Sequence, residues 1–251
     1  MTTILETSRP SRWPRRLLII GAVILAIPIF SLPVFRIFLY QPFNIPARSM
    51  APTLLEGDFL FVSKFAYGYT RYSLPLSPRL FSGRIFSSAP ARGDVAVFRL
   101  PKDDSVDYVK RVVGLPGDRI QMKEGVLYIN DTAAKRERLP DYVDDDGCGT
   151  DNTRTKRWRE TLPNGVSYET LDCVDNGFYD NTPVYTVPAN HFFLMGDNRD
   201  NSTDSRVLSS VGYVPLENFI GRAAMIFYSR SPGTATSAPG IRTERIGKIV
   251  R

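Results

Sequence analysis

The stretch that decides the fold is NIPARSMAPTLLEGDFLFVSK, Asn44 to Lys64. It places Ser49 between Pro46 and Pro52, and two prolines so close restrict the backbone around the serine. The apolar run Phe59–Ser63 follows a Gly-Asp turn and is typical of a buried strand. The pattern indicates a hydroxyl held rigidly in the turn before a strand, although serine is also common in ordinary turns.

Short apolar runs separated by Gly and Pro turns continue along the chain, and helical periodicity is weak. They predict a mainly β protein, with a folded antiparallel sheet or barrel-like domain over residues 40–251. A change of composition at about 131–183 predicts a smaller inserted cap region, and the polar segments 67–91 and 231–251 are expected to be an extended loop and a mobile tail. The predicted strands are Phe59–Ser63, Asp94–Arg99, Tyr108–Val113, Arg119–Met122, Val126–Ile129, Val184–Val187, Phe192–Met195 and Ile220–Tyr228.

The segment before the first strand has the features of a membrane anchor. Leu17 to Phe35 contains no charged residue, and a helix of that length spans roughly 28 Å, close to the hydrocarbon thickness of a bilayer. We therefore expect one transmembrane helix over residues 17–39, rather than the shorter apolar core of a cleaved signal. The arginines in residues 1–16 predict a cytoplasmic N-terminus and place the part of the chain after the anchor on the outer side of the membrane.

The net charge of +6 does not indicate a nucleic-acid-binding protein. Most of it belongs to the arginine-rich N-terminus, so it is better explained by membrane orientation. Two cysteines, Cys148 and Cys173, are too few for a disulfide scaffold and fit no zinc motif, so they either pair with each other or stay free. No metal and no cofactor are expected.

A serine nucleophile needs a base, and two candidates stand out. The chain has one histidine, His191, but it begins an apolar run and is expected to be structural. Lys110 lies in the predicted strand DYVKRVV, between an aromatic and a β-branched residue on one strand face. If burial lowered the pKa of Lys110 by about three units, the amine would become a usable general base. Each unit corresponds to roughly 1.4 kcal/mol by which the site disfavours the charged form.

Four motifs in order resemble the bacterial type I signal peptidases, which are membrane-anchored Ser-Lys serine proteases. They are Ser49 to Leu54 (SMAPTL), Gly93 to Phe98 (GDVAVF), Asp107 to Asp118 and Gly196 to Arg206 (GDNRDNSTDSR). The resemblance covers most of the chain up to about residue 228. It departs from the family at Ala47, where some members carry a serine that assists the oxyanion hole.

The resemblance implies roles for individual residues. Ser49 is the expected nucleophile and Lys110 the expected general base, with Ser202 hydrogen-bonding the lysine. Asp204 and Arg206 are expected to form an ion pair that supports the site, with Asp197 and Arg111 bracing the same region. The resemblance also implies a bacterial inner membrane, with the catalytic domain on its outer, periplasmic side. The substrates implied are exported preproteins with small residues at −1 and −3, and the expected pocket walls are Ile45, Met50, Leu60, Val97, Tyr108 and Val109.

Other functions remain open at this point. A Ser-Lys maturation peptidase for pilus or transfer proteins would share the architecture, because pocket size cannot be inferred from sequence. A self-cleaving repressor would carry a DNA-binding helical domain where this chain has its predicted anchor. A non-catalytic, membrane-tethered β-domain would make the serine and lysine dispensable. The expected partners are preproteins and the lipid bilayer, with no nucleic acid, and the protein is expected to be a monomer.

Overall fold

A computed structural model describes residues 17, 19–21, 38–74, 77–78, 81–143, 148, 154–233 and 238–251. Within them the protein is mainly β, with three sheets built from antiparallel strand pairs. The strands are β1 (Tyr40–Asn44), β2 (Asp58–Ser63), β3 (Val95–Arg99), β4 (Asp107–Gly114), β5 (Arg119–Lys123), β6 (Val126–Ile129), β7 (Thr132–Ala133), β8 (Lys135–Val143), β9 (Arg154–Thr161), β10 (Ser167–Asp172), β11 (Tyr185–Thr186), β12 (His191–Met195), β13 (Val214–Pro215), β14 (Phe219–Ser231) and β15 (Gly240–Ile241). Short 3₁₀ turns span Arg71–Ser73, Leu216–Asn218 and Thr243–Arg245.

The main sheet has the strand order β1-β2-β14-β3-β4-β12-β13, with β15 paired to β14. Its central strands, such as β3 and β12, are short and mainly apolar runs that are buried on both faces. Every strand predicted from the sequence is present, with small shifts at its ends. A second sheet has the order β11-β5-β6-β7 and a third the order β10-β9-β8. Strands β8 and β9 were not predicted, because their many charged residues obscure the alternation that marks a strand.

Apolar side chains cover both faces of the main sheet near β4. One buried cluster lies behind the nucleophile stretch and includes Met50, Leu60 and Val97. Another cluster, which includes Phe98 and Val112, lies elsewhere along β3 and β4. Because a strand presents alternate side chains to opposite faces, residues on both faces of β4 are removed from water.

The tail expected to be mobile is instead fixed over residues 238–251. Gly247 N donates to the Ile226 carbonyl at 2.8 Å, which adds this segment to the edge of β14. The Arg245 guanidinium binds the buried Asp58 carboxylate through two hydrogen bonds, of 2.9 and 2.5 Å. The prediction of a mobile tail is wrong there, because a buried carboxylate needs a charged partner and the tail supplies it.

The predicted loop over residues 67–91 contains some order of its own. Tyr69 and Ile85 form an isolated β-bridge, and the Arg84 guanidinium donates to the Leu216 carbonyl at 2.7 Å. These contacts attach the described part of the loop to the main sheet.

Cys148 and Cys173 form a disulfide bond. Cys148 precedes β9 and Cys173 directly follows β10, so the bond links the start of β9 to the end of its paired strand β10. The acidic run at 144–146 lies outside the described residues.

Most of the predicted membrane anchor, residues 17–39, also lies outside the described residues. Among the residues that are described, no helix is both long enough and apolar enough to cross a membrane. The single transmembrane helix therefore stays a prediction.

Candidate active site

Ser49 and Lys110 are in direct contact. Ser49 lies in the turn between β1 and β2, and Lys110 lies on β4. The Lys110 amine donates to Ser49 Oγ at 2.6 Å. The serine turn is tied to the sheet because Ile45 N donates to the Asp58 carbonyl at 2.8 Å, and within it Leu54 N donates to the Met50 carbonyl at 2.9 Å. The two groups that the sequence predicted as nucleophile and base are thus held within reach of a proton transfer.

Burial changes the protonation of Lys110. The residue is 4% exposed, and desolvation lowers its pKa to about 8, although the Asp204 and Asp197 carboxylates act in the opposite direction. An exposed lysine has a neutral amine in only about one molecule in a few thousand at pH 7, whereas a pKa near 8 leaves roughly a tenth neutral. The site therefore supplies a lysine that can act as a base near neutral pH.

Asp204 is the buried carboxylate that faces the lysine. It accepts two hydrogen bonds from the Arg206 guanidinium, at 2.9 and 2.8 Å, and one from Gly196 N at 3.0 Å. Burial alone would raise the pKa of Asp204, but Arg206 and these hydrogen bonds lower it. Ser202, expected to bond the lysine, instead donates to Asp204 Oδ2 at 2.8 Å. Ser202 therefore acts on the base through the charge of Asp204, which favours the ammonium form of Lys110.

Arg111 and Asp197 form a second buried ion pair beside the serine turn. Two hydrogen bonds, of 2.8 and 2.7 Å, join the Arg111 guanidinium to the carboxylate. Thr53, four residues after the nucleophile, donates to Asp197 Oδ2 at 2.5 Å. Arg111 also donates to a main-chain oxygen of Arg251 at 3.0 Å, a contact that the sequence did not indicate because the two residues are far apart in the chain. This network anchors the nucleophile turn to the strand that carries the base.

Gly196 is a site residue whose role the sequence did not reveal. A Cβ added there would lie 2.2 Å from Ser202 Oγ and 2.5 Å from the Ser49 carbonyl oxygen, closer than any real Cβ contact. The next residue but one, Asn198, donates its N–H to the same carbonyl at 3.1 Å. A side chain at 196 would push the serine turn away from its support, so the position requires glycine.

A cavity of about 350 Å³ opens beside the Ser49–Lys110 pair. Three of the predicted wall residues, Ile45, Tyr108 and Val109, line it. The other lining residues are Pro46, Ala47, Ser49, Val106, Asp107, Lys110, Asn201 and Thr203. One wall is thus the segment before the nucleophile and another is the start of β4, a shape suited to an extended peptide.

Met50, Leu60 and Val97, also expected in the pocket walls, do not line this cavity. They are 0–2% exposed and belong to the buried cluster against which Ile45 and Val109 also pack. Val97 lies directly opposite Val109 in the β3–β4 pair, and all three side chains pack into the core and not against the cavity. They support the cavity wall from behind.

His191, set aside as a base, begins β12 and its Nδ1 lies 2.8 Å from the Ala189 carbonyl. This local contact involves one ring nitrogen, and His191 does not line the cavity beside Ser49.

Comparison with known proteins identifies the family of this chain. A model of the signal peptidase family, peptidase S26, matches residues 16–228. The chain belongs to this family. As a signal peptidase it is a hydrolase, a serine endopeptidase that cleaves signal peptides, and the family is associated with membranes in bacteria.

Two curated relatives agree with this assignment. The chain is 45% identical over 204 residues to a signal peptidase I of Rickettsia typhi, covering 78% of this chain and 75% of the relative. It is 44% identical, with the same coverage, to a signal peptidase I of Rickettsia prowazekii. The crystal structure of a signal peptidase I from Enterococcus faecalis V583 is 23% identical, covers 54% of this chain and 97% of that one, and superposes with a TM-score of 0.31.

Proposed function

We propose that the chain removes signal peptides from exported preproteins through a Ser-Lys dyad, with Ser49 as nucleophile and Lys110 as general base. The observation that carries the proposal is the 2.6 Å contact between a buried amine and a serine hydroxyl at the edge of a peptide-sized cavity. A lysine with a lowered pKa can act in place of the histidine of other serine proteases.

The chemistry follows from the geometry of the pair. The neutral amine of Lys110 accepts the Ser49 hydroxyl proton while Oγ bonds to the scissile carbonyl carbon. The resulting ammonium returns that proton to the leaving amine as the peptide bond breaks, which leaves an acyl-enzyme. Lys110 then takes a proton from water as the water oxygen bonds to the ester carbon. The ammonium passes this proton to Ser49 Oγ as the ester bond breaks, which releases the acyl fragment as a carboxylic acid.

The negative charge that develops on the carbonyl oxygen needs a donor nearby. Within the described part of the chain the Ser49 main-chain N–H has no hydrogen-bond partner, so it can donate to that oxygen. Ala47, two residues earlier, lines the cavity but offers no hydroxyl as a second donor. The oxyanion hole of this chain therefore relies on the main chain.

The substrate class is proposed from the family resemblance and the cavity together. Ile45, Tyr108 and Val109 give the cavity apolar walls that favour small side chains at −1 and −3 before the cut. An extended signal peptide lying beside the start of β4 would present alternate side chains to these walls.

The proposed topology places the site close to the bilayer. Residues 1–16 would lie in the cytoplasm, residues 17–39 would form a single membrane anchor, and residues 40–251, with the insertion at about 131–183, would form the catalytic domain on the outer face. The support is the charge-free run from Leu17 to Phe35 and the arginines that precede it. β1 begins at Tyr40, directly after the proposed anchor.

The test is cleavage of a preprotein that has alanine at −1 and −3 by the detergent-solubilised full chain, with the new N-terminus mapped. Ser49→Ala and Lys110→Ala should each abolish cleavage while the protein still folds and inserts into membranes. Cleavage retained by either variant would remove the dyad mechanism. Inactivity of the native chain on every preprotein would favour a non-catalytic or more specialised role.

A further inference from the structure

One fully buried carboxylate connects the third sheet to the residues that support the active site. Glu160 lies on β9 and is 0% exposed. Its carboxylate accepts hydrogen bonds from both terminal nitrogens of the Arg199 guanidinium, at 3.1 and 2.6 Å, and from the Tyr168 hydroxyl at 2.5 Å. A buried, doubly bonded ion pair of this kind fixes its partner in one position.

Arg199 in turn touches the groups that surround the lysine. Its main-chain carbonyl accepts a hydrogen bond from Arg206 Nη2 at 2.6 Å. Arg206 uses the same guanidinium to hold Asp204, the carboxylate that faces Lys110. A series of hydrogen bonds therefore leads from Glu160 to Asp204, whose charge acts on the base.

A second contact of the third sheet leads to the nucleophile. The Arg111 guanidinium lies 4.0 Å above the ring of Tyr168, on β10. Arg111 binds Asp197, which accepts a hydrogen bond from Thr53 in the nucleophile turn. Tyr168 thus contacts the support of the serine with its ring and Glu160 with its hydroxyl.

We infer that Glu160 is a positioning residue for the catalytic pair: by fixing Arg199, it keeps Arg206 on Asp204 and so sets the charge that Lys110 experiences. The inference rests on the proposed function of the Ser49–Lys110 pair. Nothing in the local sequence of β9 marks Glu160, because it lies within a charged run whose other members are partly exposed.

The direction of the effect follows from the charges near each group. Asp204 and Asp197 favour the ammonium form of Lys110, whereas Arg206 disfavours it, and the Tyr108 ring lies 5.4 Å from the amine. Around Glu160 the charged groups are Arg199 and Arg136. If Arg206 is held less firmly, Asp204 is less neutralised and the ammonium becomes more stable. Less of the lysine is then neutral at pH 7.

The experiment compares Glu160→Gln with native enzyme by measuring kcat and KM for preprotein cleavage from about pH 6 to pH 10. The amide keeps the shape of the side chain but removes its charge. We expect the acid limb of kcat to move up by about one pH unit and kcat at pH 7 to fall about tenfold, because tenfold less amine is neutral. KM should stay unchanged, since Glu160 does not line the cavity.

The matched control is Glu137→Gln on β8 of the same sheet. Glu137 pairs with Arg159 at 3.0 Å, but both side chains are exposed (59% and 45%). This variant should match the native enzyme in kcat, KM and pH profile, because exposed ion pairs contribute little.

Two results would overturn the inference. One is a folded Glu160→Gln enzyme whose acid limb coincides with the native limb, whatever its thermal stability. If Glu160→Gln does not fold, Tyr168→Phe replaces it, since this change removes one hydrogen bond to Glu160 and keeps the ring under Arg111. Tyr168→Phe should move the acid limb of kcat in the same direction, but by less. A folded Tyr168→Phe enzyme whose acid limb coincides with the native limb is the second result that would overturn the inference.

Ser49→Ala, assayed beside these variants, separates the two proposals. If Ser49→Ala still cleaves the preprotein, the proposed function itself is wrong. If Ser49→Ala is inactive and Glu160→Gln behaves like the native enzyme, only the positioning role is lost.

Discussion

Replacing Lys110 by methionine should make the protein more stable and inactive at the same time. Burial lowers the pKa of Lys110 from 10.5 to about 8. At about 1.4 kcal/mol per pH unit, keeping the ammonium buried costs the folded state about 3 kcal/mol at pH 7. Methionine has a similar length and no charge, so Lys110→Met should gain roughly this free energy of unfolding.

The pH dependence makes this prediction specific to the lysine. Below pH 8 the amine is protonated in both the folded and the unfolded chain, so the destabilisation is present in full. Between pH 8 and about 10.4 the unfolded chain binds more protons, and the native protein gains stability as the pH rises. The advantage of Lys110→Met should therefore shrink across this window and vanish above it.

The assay is denaturant unfolding of both chains in detergent at several pH values. Comparison of the two chains cancels the titration of tyrosines and other groups that they share. An advantage of Lys110→Met that stays constant from pH 7 to about pH 10.4 would refute the reasoning, because it would arise from packing and not from a buried charge. No advantage at all would mean that the lysine is not significantly desolvated.

Three further outcomes follow from the contacts. Gly196→Ala should lower kcat by about a hundredfold or more, because the added Cβ would lie 2.2 Å from a neighbouring hydroxyl and displace the nucleophile turn. Ala47→Ser should leave kcat unchanged or raise it, since a second hydroxyl donor would assist the oxyanion hole. Arg245→Gln should lower the free energy of unfolding by about 3 kcal/mol, because it leaves the buried Asp58 carboxylate with the more distant Arg242 guanidinium, 3.9 Å away, as its charged partner.

Each of these outcomes has a control or a contradicting result. Gly240→Ala adds a Cβ where nothing lies within 4 Å, so its kcat should equal that of the native enzyme. Arg119→Gln breaks an exposed pair with Asp131 and should change stability by less than about 1 kcal/mol. A large loss of kcat in Ala47→Ser would show that the oxyanion hole lies elsewhere, and an Arg245→Gln loss no larger than that of Arg119→Gln would contradict the buried-pair argument.

The sequence predicted the central strands and the two reacting groups for clear physical reasons. Strands such as β3 and β12 are short apolar runs with turn residues at their ends, and this pattern is local. Ser49 and Lys110 were identified because each lies in a motif that the signal peptidase family shares. Both kinds of signal can be recognised within a few consecutive residues.

What the sequence did not predict depends on contacts between distant residues. Asp58 and Arg245 are separated by most of the chain, and no local pattern indicates that the tail would supply the partner of a buried carboxylate. Glu160 and Arg199 are a second such pair. Met50 was expected in a pocket wall and lies in the core, because sequence distance from the nucleophile does not determine which way a side chain points. Only the folded structure shows which distant residues pair and which way a side chain points.

NMR of isotope-labelled lysine side chains in the full, detergent-solubilised chain measures the central claim directly. In the folded enzyme one lysine should titrate near pH 8, and that signal should be absent from Lys110→Met. If every lysine of the folded enzyme titrates near its ordinary value of about 10.4, the amine beside Ser49 is charged at neutral pH and cannot be the base.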